Sequence, residues 1–298
     1  MTCRIDLQNQ PLVSIITINY NGWQDTCQLI DSLNQYETYP HEIIVVDNAS
    51  TGDDVHCICT AHPEVKVITS SYNRGFAGGN NLGWKHAHGE YVFFLNNDTV
   101  VCAPILQTLV QRLEVSPHNG GVSPMIKDYT TKHLLQFTGF TPFTRVTIRN
   151  RAIGFNLPDN NIAWRIPQVT PYLHGAAMMI PRRIIEQVGL MFEGYFLFYE
   201  EFDYSMTIRR AQYELWYEPN AVIYHKGGQS ISSLSPLREY YLTRSRMIYA
   251  RRNCMGWQKI LSCFYQLMVA SYKSLVYFCK GKPRLSLAML KGVFNGLI

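Results

Sequence analysis

Three apolar runs in this chain end in side chains that carry oxygen or nitrogen. Asn19-Tyr20-Asn21 follows "LVSIITI", Asp47-Asn48-Ala49-Ser50 follows "EIIVV", and Asn96-Asn97-Asp98 follows "YVFFL". Each stretch alone suits a turn or a helix cap, because Asn, Asp and Ser bond their own backbone. Three together point to a polar cleft, since ligands of open α/β sheets bind beyond the carboxyl ends of the strands. A second constellation is "FYEEFDYS", which sets Glu200, Glu201 and Asp203 among Phe198, Tyr199 and Phe202. On a helix Glu200 and Asp203 share a face, and Glu201 points about 100° away. Such acids either form a solvated helix start, favoured by the dipole, or sit in apolar surroundings that tune a carboxylate towards a general base. His225, closing "AVIYH", reads as a structural histidine or a metal ligand according to what faces it.

Positioning these groups requires strands that end together. Strand-like runs at 12–18, 42–47, 65–69 and 91–95 are separated by helical patterns near 23–35 and 79–88. Continuous apolar strands alternating with helices imply a mostly parallel sheet with helices on both faces. Beyond Pro104 a helix is expected to about Val115, then "GGVSPMI", then a polar stretch from Lys127 to Thr170 that reads as loops or a small β excursion. Order returns with "GAAMMI" (175–180), a helix "PRRIIEQVG" with Pro181 in its first turn, the acidic segment, and a strand pair around "LWYEP" and "AVIYHK". The glycines at 75, 78, 79 and 83 do not fit GxGxxG, which argues against a dinucleotide-binding oxidoreductase. They read as a turn that lets a helix pack closely on the sheet.

The 298 residues suit one large domain or a domain with an appendage. The eight cysteines lack paired CxxC knuckles and read as reduced thiols. No apolar signal-like run precedes the first strand, so a cytosolic start is expected. Charge divides the chain near residue 235. Residues 236–298 hold 11 Lys/Arg against one acid, Glu239, while the preceding body is net acidic. Within this tail Lys259, Gln266, Lys273 and Lys280 recur every seven residues, opposite Leu261, Phe264, Met268 and Leu275. That pattern is an amphipathic helix. It is a poor membrane span, because Lys273 would fall inside the bilayer and the apolar run is shorter than the roughly 20 residues required. The helix either packs on the body through its apolar face or lies on an anionic membrane surface, and the basic charge favours the membrane.

The segments "VSIITINYNG", "EIIVVDNAST", "NRGFAGGNNLGWKHAHGEYVFFLNNDT", "HGAAMMIPRRIIEQVG", "YFLFYEEFDYS" and "AVIYHKGG" resemble, in order and spacing, the inverting family 2 glycosyltransferases of the GT-A fold, especially the rhamnosyltransferase-like branch. The likeness spans roughly residues 10 to 235. It implies a GT-A nucleotide-diphospho-sugar transferase domain over 1–235, followed by a basic amphipathic helical extension over 236–298. It further implies that Asp47 bonds the pyrimidine of a UDP- or dTDP-sugar, with Asn19, Asn21, Asn73, Arg74, Asn80 and Asn97 also on the donor side. Asn96-Asn97-Asp98 falls on the family's DxD position. Asp98, Asn96 and His225 would therefore hold a divalent metal, Mn²⁺ or Mg²⁺, which favours oxygen ligands. Glu201, where the family commonly has Asp, falls on the general base position, with Glu200 in support. Thr207 stands where the family often has Arg. Gly175, Ala176 and Asp203 would face the acceptor, a glycan or lipid-linked glycan. The implied reaction moves rhamnose or another hexose with inversion, in polysaccharide synthesis at the cytoplasmic face of a bacterial inner membrane, and no nucleic-acid partner is expected. The competing reading, a catalytically silent membrane-attached module, is disfavoured by the retention of Asp47, Asp98 and Glu201.

Overall fold

The computed structural model describes residues 11–227 and 235–298. It opens with β1 (Val13–Asn19), α1 (Trp23–Tyr36), β2 (His41–Asp47), α2 (Asp54–Ala61), β3 (Lys66–Thr69), α3 (Gly75–Trp84), β4 (Tyr91–Leu95), β5 (Thr99–Val101) and α4 (Leu106–Glu114). There follow β6 (Asn119–Asp128), β7 (Leu135–Phe137), a 3-10 turn (Ile162–Arg165), β8 (Gln168–Val169) and β9 (Ala177–Pro181). The body closes with α5 (Arg182–Val188), α6 (Glu200–Arg210) and β10 (Glu214–His225), and the tail is α7 (Pro236–Asn253), α8 (Gly256–Cys279) and α9 (Pro283–Leu297).

The main path of the sheet runs β3-β2-β1-β4-β9-β6-β10-β5. Its first four strands are parallel, β9 runs antiparallel between β4 and β6, and β10 is parallel to β6. Side chains alternate across a strand, and here the alternation builds two apolar layers. Val13, Ile15, Val45 and Phe93 face Leu29 and Leu33 of α1 and Leu109 of α4. Ile16, Ile44, Val46 and Phe94 face Ala77 of α3, Ile184 of α5 and Ile208 of α6. Burial of each such Leu, Ile or Phe contributes about 1.5–3 kcal/mol. Registration sets Asn19 opposite Asp47, so the polar endings share one edge of the sheet.

Several elements differ from expectation. The helix expected at 79–88 begins at Gly75. Asn73 accepts the Gly75 N–H (2.9 Å) and starts it early, so its glycines lie inside the helix, where they allow contact with β1. A Cβ on Gly79 would come within 2.8 Å of Ile18, and one on Gly83 would collide with Ile16. Helix α2 was not expected at all; of its residues only Asp54 and Ile58 are buried, which leaves little apolar pattern to read. The strand pair is a single strand, β10, bulged between Glu218 and Val222. Pro219 lacks an N–H for the ladder, and the buried Glu218 carboxylate fills the bulge by accepting from Asn220 N (3.1 Å) and Arg112 Nε (2.8 Å). Pro181 ends β9 and precedes the first turn of α5 instead of lying in it.

Helix α7 shares a buried cluster with the body: Ile248, Tyr249 and Ala250 pack with Ile148, Tyr195 and Tyr199. Helix α8 buries Ser262, Gln266, Ala270 and Ser274 and leaves most of its large apolar side chains exposed.

Candidate active site

The strand edge carries a closely bonded cluster. Asn19 is fully buried, and its Nδ2 donates to Asp47 Oδ1 (2.9 Å) and Asp54 Oδ1 (3.0 Å) while its Oδ1 accepts from Thr26 (2.8 Å). It therefore orients Asp47 and is not open to a ligand itself. Asp47 also receives the Ser50 hydroxyl (2.5 Å) and amide (3.1 Å). Asn21, exposed and at φ 53°, holds the Thr51 amide (2.8 Å). Asn48 links this edge to α3 by donating to Asn73 Oδ1 (3.0 Å) and accepting from Arg74 N (2.9 Å). Arg74 donates from Nε to Ser70 (3.0 Å) and lies over the Tyr72 ring. Asn80, placed on the donor side by the resemblance, is buried in α3 and donates to Phe76 O (3.1 Å) one turn earlier, so it supports the helix from within.

The Asn96-Asn97-Asp98 turn lies beside this cluster. Asn97 donates to Thr26 (3.1 Å), and the Asn96 amide donates to Ala176 O (2.9 Å), which ties the turn to α1 and to the entry of β9. Asp98 Oδ1 and His225 Nε2 lie 3.2 Å apart, yet among the described residues neither buried atom has a hydrogen-bond partner. Gln136 explains the histidine. Its Nε2 donates to His225 O (2.9 Å) and Asp128 (3.1 Å), which turns its Oε1 to His225 Nδ1 (2.8 Å). That oxygen can only accept, so Nδ1 carries a proton and Nε2 is the ring nitrogen turned to Asp98. A carboxylate oxygen and an imidazole nitrogen thus face the same point, with the other ring nitrogen anchored as metal-binding histidines usually are. Burial pushes the Asp98 carboxyl up, but the adjoining His225 ring and Lys226 outweigh it and hold the group below the ordinary carboxylate range. Among the described residues no cluster of three His, Cys, Asp or Glu could hold a metal. The donor set fits a cation that takes its remaining ligands from a bound molecule.

Gly175 and Ala176 join this turn to the acid corner at the start of α6, since Ala176 O accepts from Asn96 N and the Cβ position of Gly175 lies against Glu201. Phe198 (φ 68°) and Tyr199 (φ 75°) both occupy the left-handed region, where bulky residues are strained, and this strain lies directly before α6. Glu200 is 5% exposed and its Oε2 has no hydrogen-bond partner among the described residues. Burial, then the neighbouring Glu201 charge, push its carboxyl well above the usual range. Glu201 is less enclosed and lies over Gly175, whose Cβ position is 3.5 Å from Glu201 Cβ. Burial raises its carboxyl to about 7. A solvated acidic helix start does not describe this pair. Asp203 points the other way: Tyr195, Arg252 and Asn253 bond its Oδ1 and Arg252 bonds its Oδ2 (3.2 Å), so it joins α6 to α7 and both its oxygens are engaged there.

Two groups escaped sequence reading. Gln136 lies in the polar stretch 127–170, and only the fold brings it to His225. His174 stacks on Phe140 and lies near His225, and its Nδ1 accepts from Ala176 N (3.1 Å). Burial, then the His225 charge, lower its pKa to about 3, so it is neutral. Its visible signal was a polar pair, His174-Gly175, opening an apolar strand.

The mixed sheet, with its polar strand ends on one edge, has the GT-A fold. Solved structures of that fold superpose on the chain. A mannosyltransferase from Pyrobaculum calidifontis, in complex with GDP-Man and Mn²⁺, matches at TM-score 0.61 and 18% identity over 98% of this chain and 88% of its own. GalNAc-T7 with UDP, GalNAc and Mn²⁺ matches at 0.62 and 16% identity over 84% of this chain and 52% of its own. The sequence model of glycosyl transferase family 2 matches residues 14–189, and the chain belongs to that family. A low-salt glycan biosynthesis hexosyltransferase, Agl10 of Haloferax volcanii, is 26% identical over 225 residues, 70% of this chain and 65% of the relative. The O-antigen biosynthesis protein RfbC of Myxococcus xanthus is 26% identical over 62% of this chain and 15% of its own length. The chain thus spans just under two thirds of the first of these relatives and a small part of the second.

Proposed function

We propose that this chain is a metal-dependent, inverting hexosyltransferase that moves a sugar, rhamnose or another hexose, from a UDP- or dTDP-sugar to a hydroxyl of a glycan, lipid-linked and presented at the cytoplasmic face of a bacterial inner membrane. The observation that carries this reading is that the turn bearing Asp98, which pairs with His225, and the raised carboxyl of Glu201 both meet the short segment Gly175-Ala176. The relatives named for glycan and O-antigen biosynthesis support the substrate class. Asp47, fixed by Asn19 and Ser50, keeps lone pairs for the ring N–H of a pyrimidine. Asp98 and His225 would hold Mn²⁺ or Mg²⁺, with Asn96 at the same turn, and that cation supplies neutralisation of charge on the departing diphosphate. Glu201 takes the proton of the acceptor hydroxyl as its oxygen bonds the anomeric carbon and the bond to the diphosphate oxygen breaks on the opposite face. Because residue 175 is glycine, no side chain stands against Glu201 where a Cβ would touch its Cβ at 3.5 Å. Burial and the neighbouring Glu201 charge push the Glu200 carboxyl well above the usual range, which disfavours a second negative charge in the corner. Thermal stabilisation by a panel of UDP-, dTDP- and GDP-sugars, each with and without Mn²⁺, tests the reading. A uracil or thymine nucleotide sugar should raise the melting temperature only with the cation. Stabilisation by none of them would refute it.

A further inference from the structure

Helix α8 turns its larger apolar face outward. Along its 24 residues the side turned to the protein buries Ser262, Gln266, Ala270 and Ser274, with Cys263 and Leu267 beside Met247 and Val293. Ser262 donates to Val146 O (2.9 Å), Gln266 to Thr147 O (3.2 Å), and Ser274 bonds Ser286 of α9 (2.7 Å). The opposite side carries Trp257, Phe264, Met268, Tyr272, Leu275 and Phe278, each between 54% and 69% exposed. At about 100° per residue these six fall within roughly 120° of arc. A helix of a globular body turns such a stripe inward. A contiguous apolar face of this size marks an interaction surface. Helix α9 adds Leu287 and Phe294, 52% and 53% exposed.

We infer that the outer face of α8 is an interfacial docking surface for an anionic lipid bilayer, with the helix lying in the headgroup plane and its apolar stripe buried among acyl chains. Charge selects this occupant. Lys259, Lys273, Lys280, Lys282, Arg284 and Lys291 are all exposed, and residues 256–298 hold no acid, which complements anionic headgroups. A second copy docked on the same face would bring two such tails together. Trp257 and Tyr272 suit the interface, where an apolar ring and a polar tip are both accommodated. No described helix is long and apolar enough to cross a membrane. The surface is also joined to the acid corner. The loop that receives Ser262 and Gln266 continues to Phe143, whose ring stacks on Tyr199 (5.8 Å) and meets Phe202 of α6 edge-on (5.0 Å). A bilayer under α8 thus has a fixed relation to Glu201. The inference deepens the proposed transfer to a lipid-linked acceptor and rests on that reading for its purpose, though the surface itself rests on geometry and charge.

Flotation of the full chain with vesicles tests it, using phosphatidylcholine alone and phosphatidylcholine mixed with phosphatidylglycerol. The unaltered protein should float with the mixed vesicles and less so in high salt. Phe264→Glu with Leu275→Glu should cut the bound fraction roughly tenfold or more, since each loses a buried apolar side chain. Both proteins should keep the same Mn²⁺-linked stabilisation by a nucleotide sugar, which shows that the variant is folded. Failure of the unaltered protein to float, or a variant that floats equally well, overturns the inference. So does sedimentation showing a dimer that the variant dissociates, because the face would then be a self-interface. Flotation without any nucleotide-sugar response leaves the docking surface standing and removes the proposed transfer.

Discussion

The strand edge and the acid corner are built on opposite principles. At the strand edge nearly every polar atom is engaged: Asn19, Asp47, Ser50, Asp54 and Thr26 satisfy one another, and the atoms left open, Asp98 Oδ1 and His225 Nε2, lie together. At the acid corner the backbone is strained, the rings of Phe143, Tyr199 and Phe202 pack on one another, and Glu200 has an unpartnered oxygen among the described residues. A bonded edge holds charge in place; a desolvated corner raises carboxyl pKa values and makes a carboxylate ready to accept a proton near neutrality. Binding should therefore belong to the edge and proton transfer to the corner.

The largest effect is expected from the acid corner. Glu201→Gln should lower the transfer rate by about 10²- to 10⁴-fold, the range of general base catalysis. The check is turnover at saturating donor and acceptor. If Glu200→Gln proves the more damaging, the roles of the two acids are exchanged. In the unaltered enzyme the rate should climb with pH to a plateau above about 7, because Glu201 must lose its proton to act.

At the bonded edge Gln136→Leu should weaken Mn²⁺ affinity by about 10- to 100-fold, the usual cost of removing a partner that orients a ligand. It leaves His225 Nδ1 without its acceptor. Calorimetric titration of Mn²⁺ in the presence of nucleotide would measure this, and unchanged affinity would separate His225 from the metal.

A smaller effect should follow from loosening the clamp between the acid corner and α7. Arg246 donates to the Tyr199 hydroxyl (2.7 Å), Ser245 to Leu197 O (2.8 Å), and Arg252 to Asp203. Arg252→Ala should lower turnover by about tenfold, below the roughly 10²-fold that a 1 Å displacement can cost. Donor KM should stay unchanged, whereas a general structural defect would move both.

The smallest effect concerns stability. In the folded protein the Glu200–Glu201 pair keeps a proton that the unfolded chain releases from the ordinary carboxylate range upwards. The native state then binds more protons, so stability falls as pH rises towards about 7. Glu200→Gln should flatten that decline, giving a melting temperature closer to equal at pH 5 and pH 8 than in the unaltered protein.

The polar strand endings were legible in the sequence because a buried strand that terminates in Asn and Asp has few other uses. The acid pair was legible for a similar reason, its aromatic flanks. Residues whose meaning depends on a distant partner were not. Asn19 and Asn80 look like ligand groups in sequence and are absorbed by internal bonds. Asp203 shares a helical face with Glu200, but contacts with α7, some 50 positions on, turn it to structural use. Gln136 acts only through a strand reached 89 residues later. For α8 the sequence displayed the apolar face, but of the polar stripe only Gln266 is buried while Lys259, Lys273 and Lys280 are exposed, because Ser262 and Gln266 bond loop carbonyls that no local pattern reveals.

The division of labour between edge and corner is tested most directly by calorimetry of a nucleotide sugar with Mn²⁺, comparing Asp98→Ala and Glu201→Gln side by side. Asp98→Ala should lose the Mn²⁺-dependent part of donor affinity, and Glu201→Gln should bind the donor as the unaltered protein does while failing to transfer its sugar. Equal loss of donor affinity in both variants, or unchanged Mn²⁺-linked affinity in Asp98→Ala, would contradict the account.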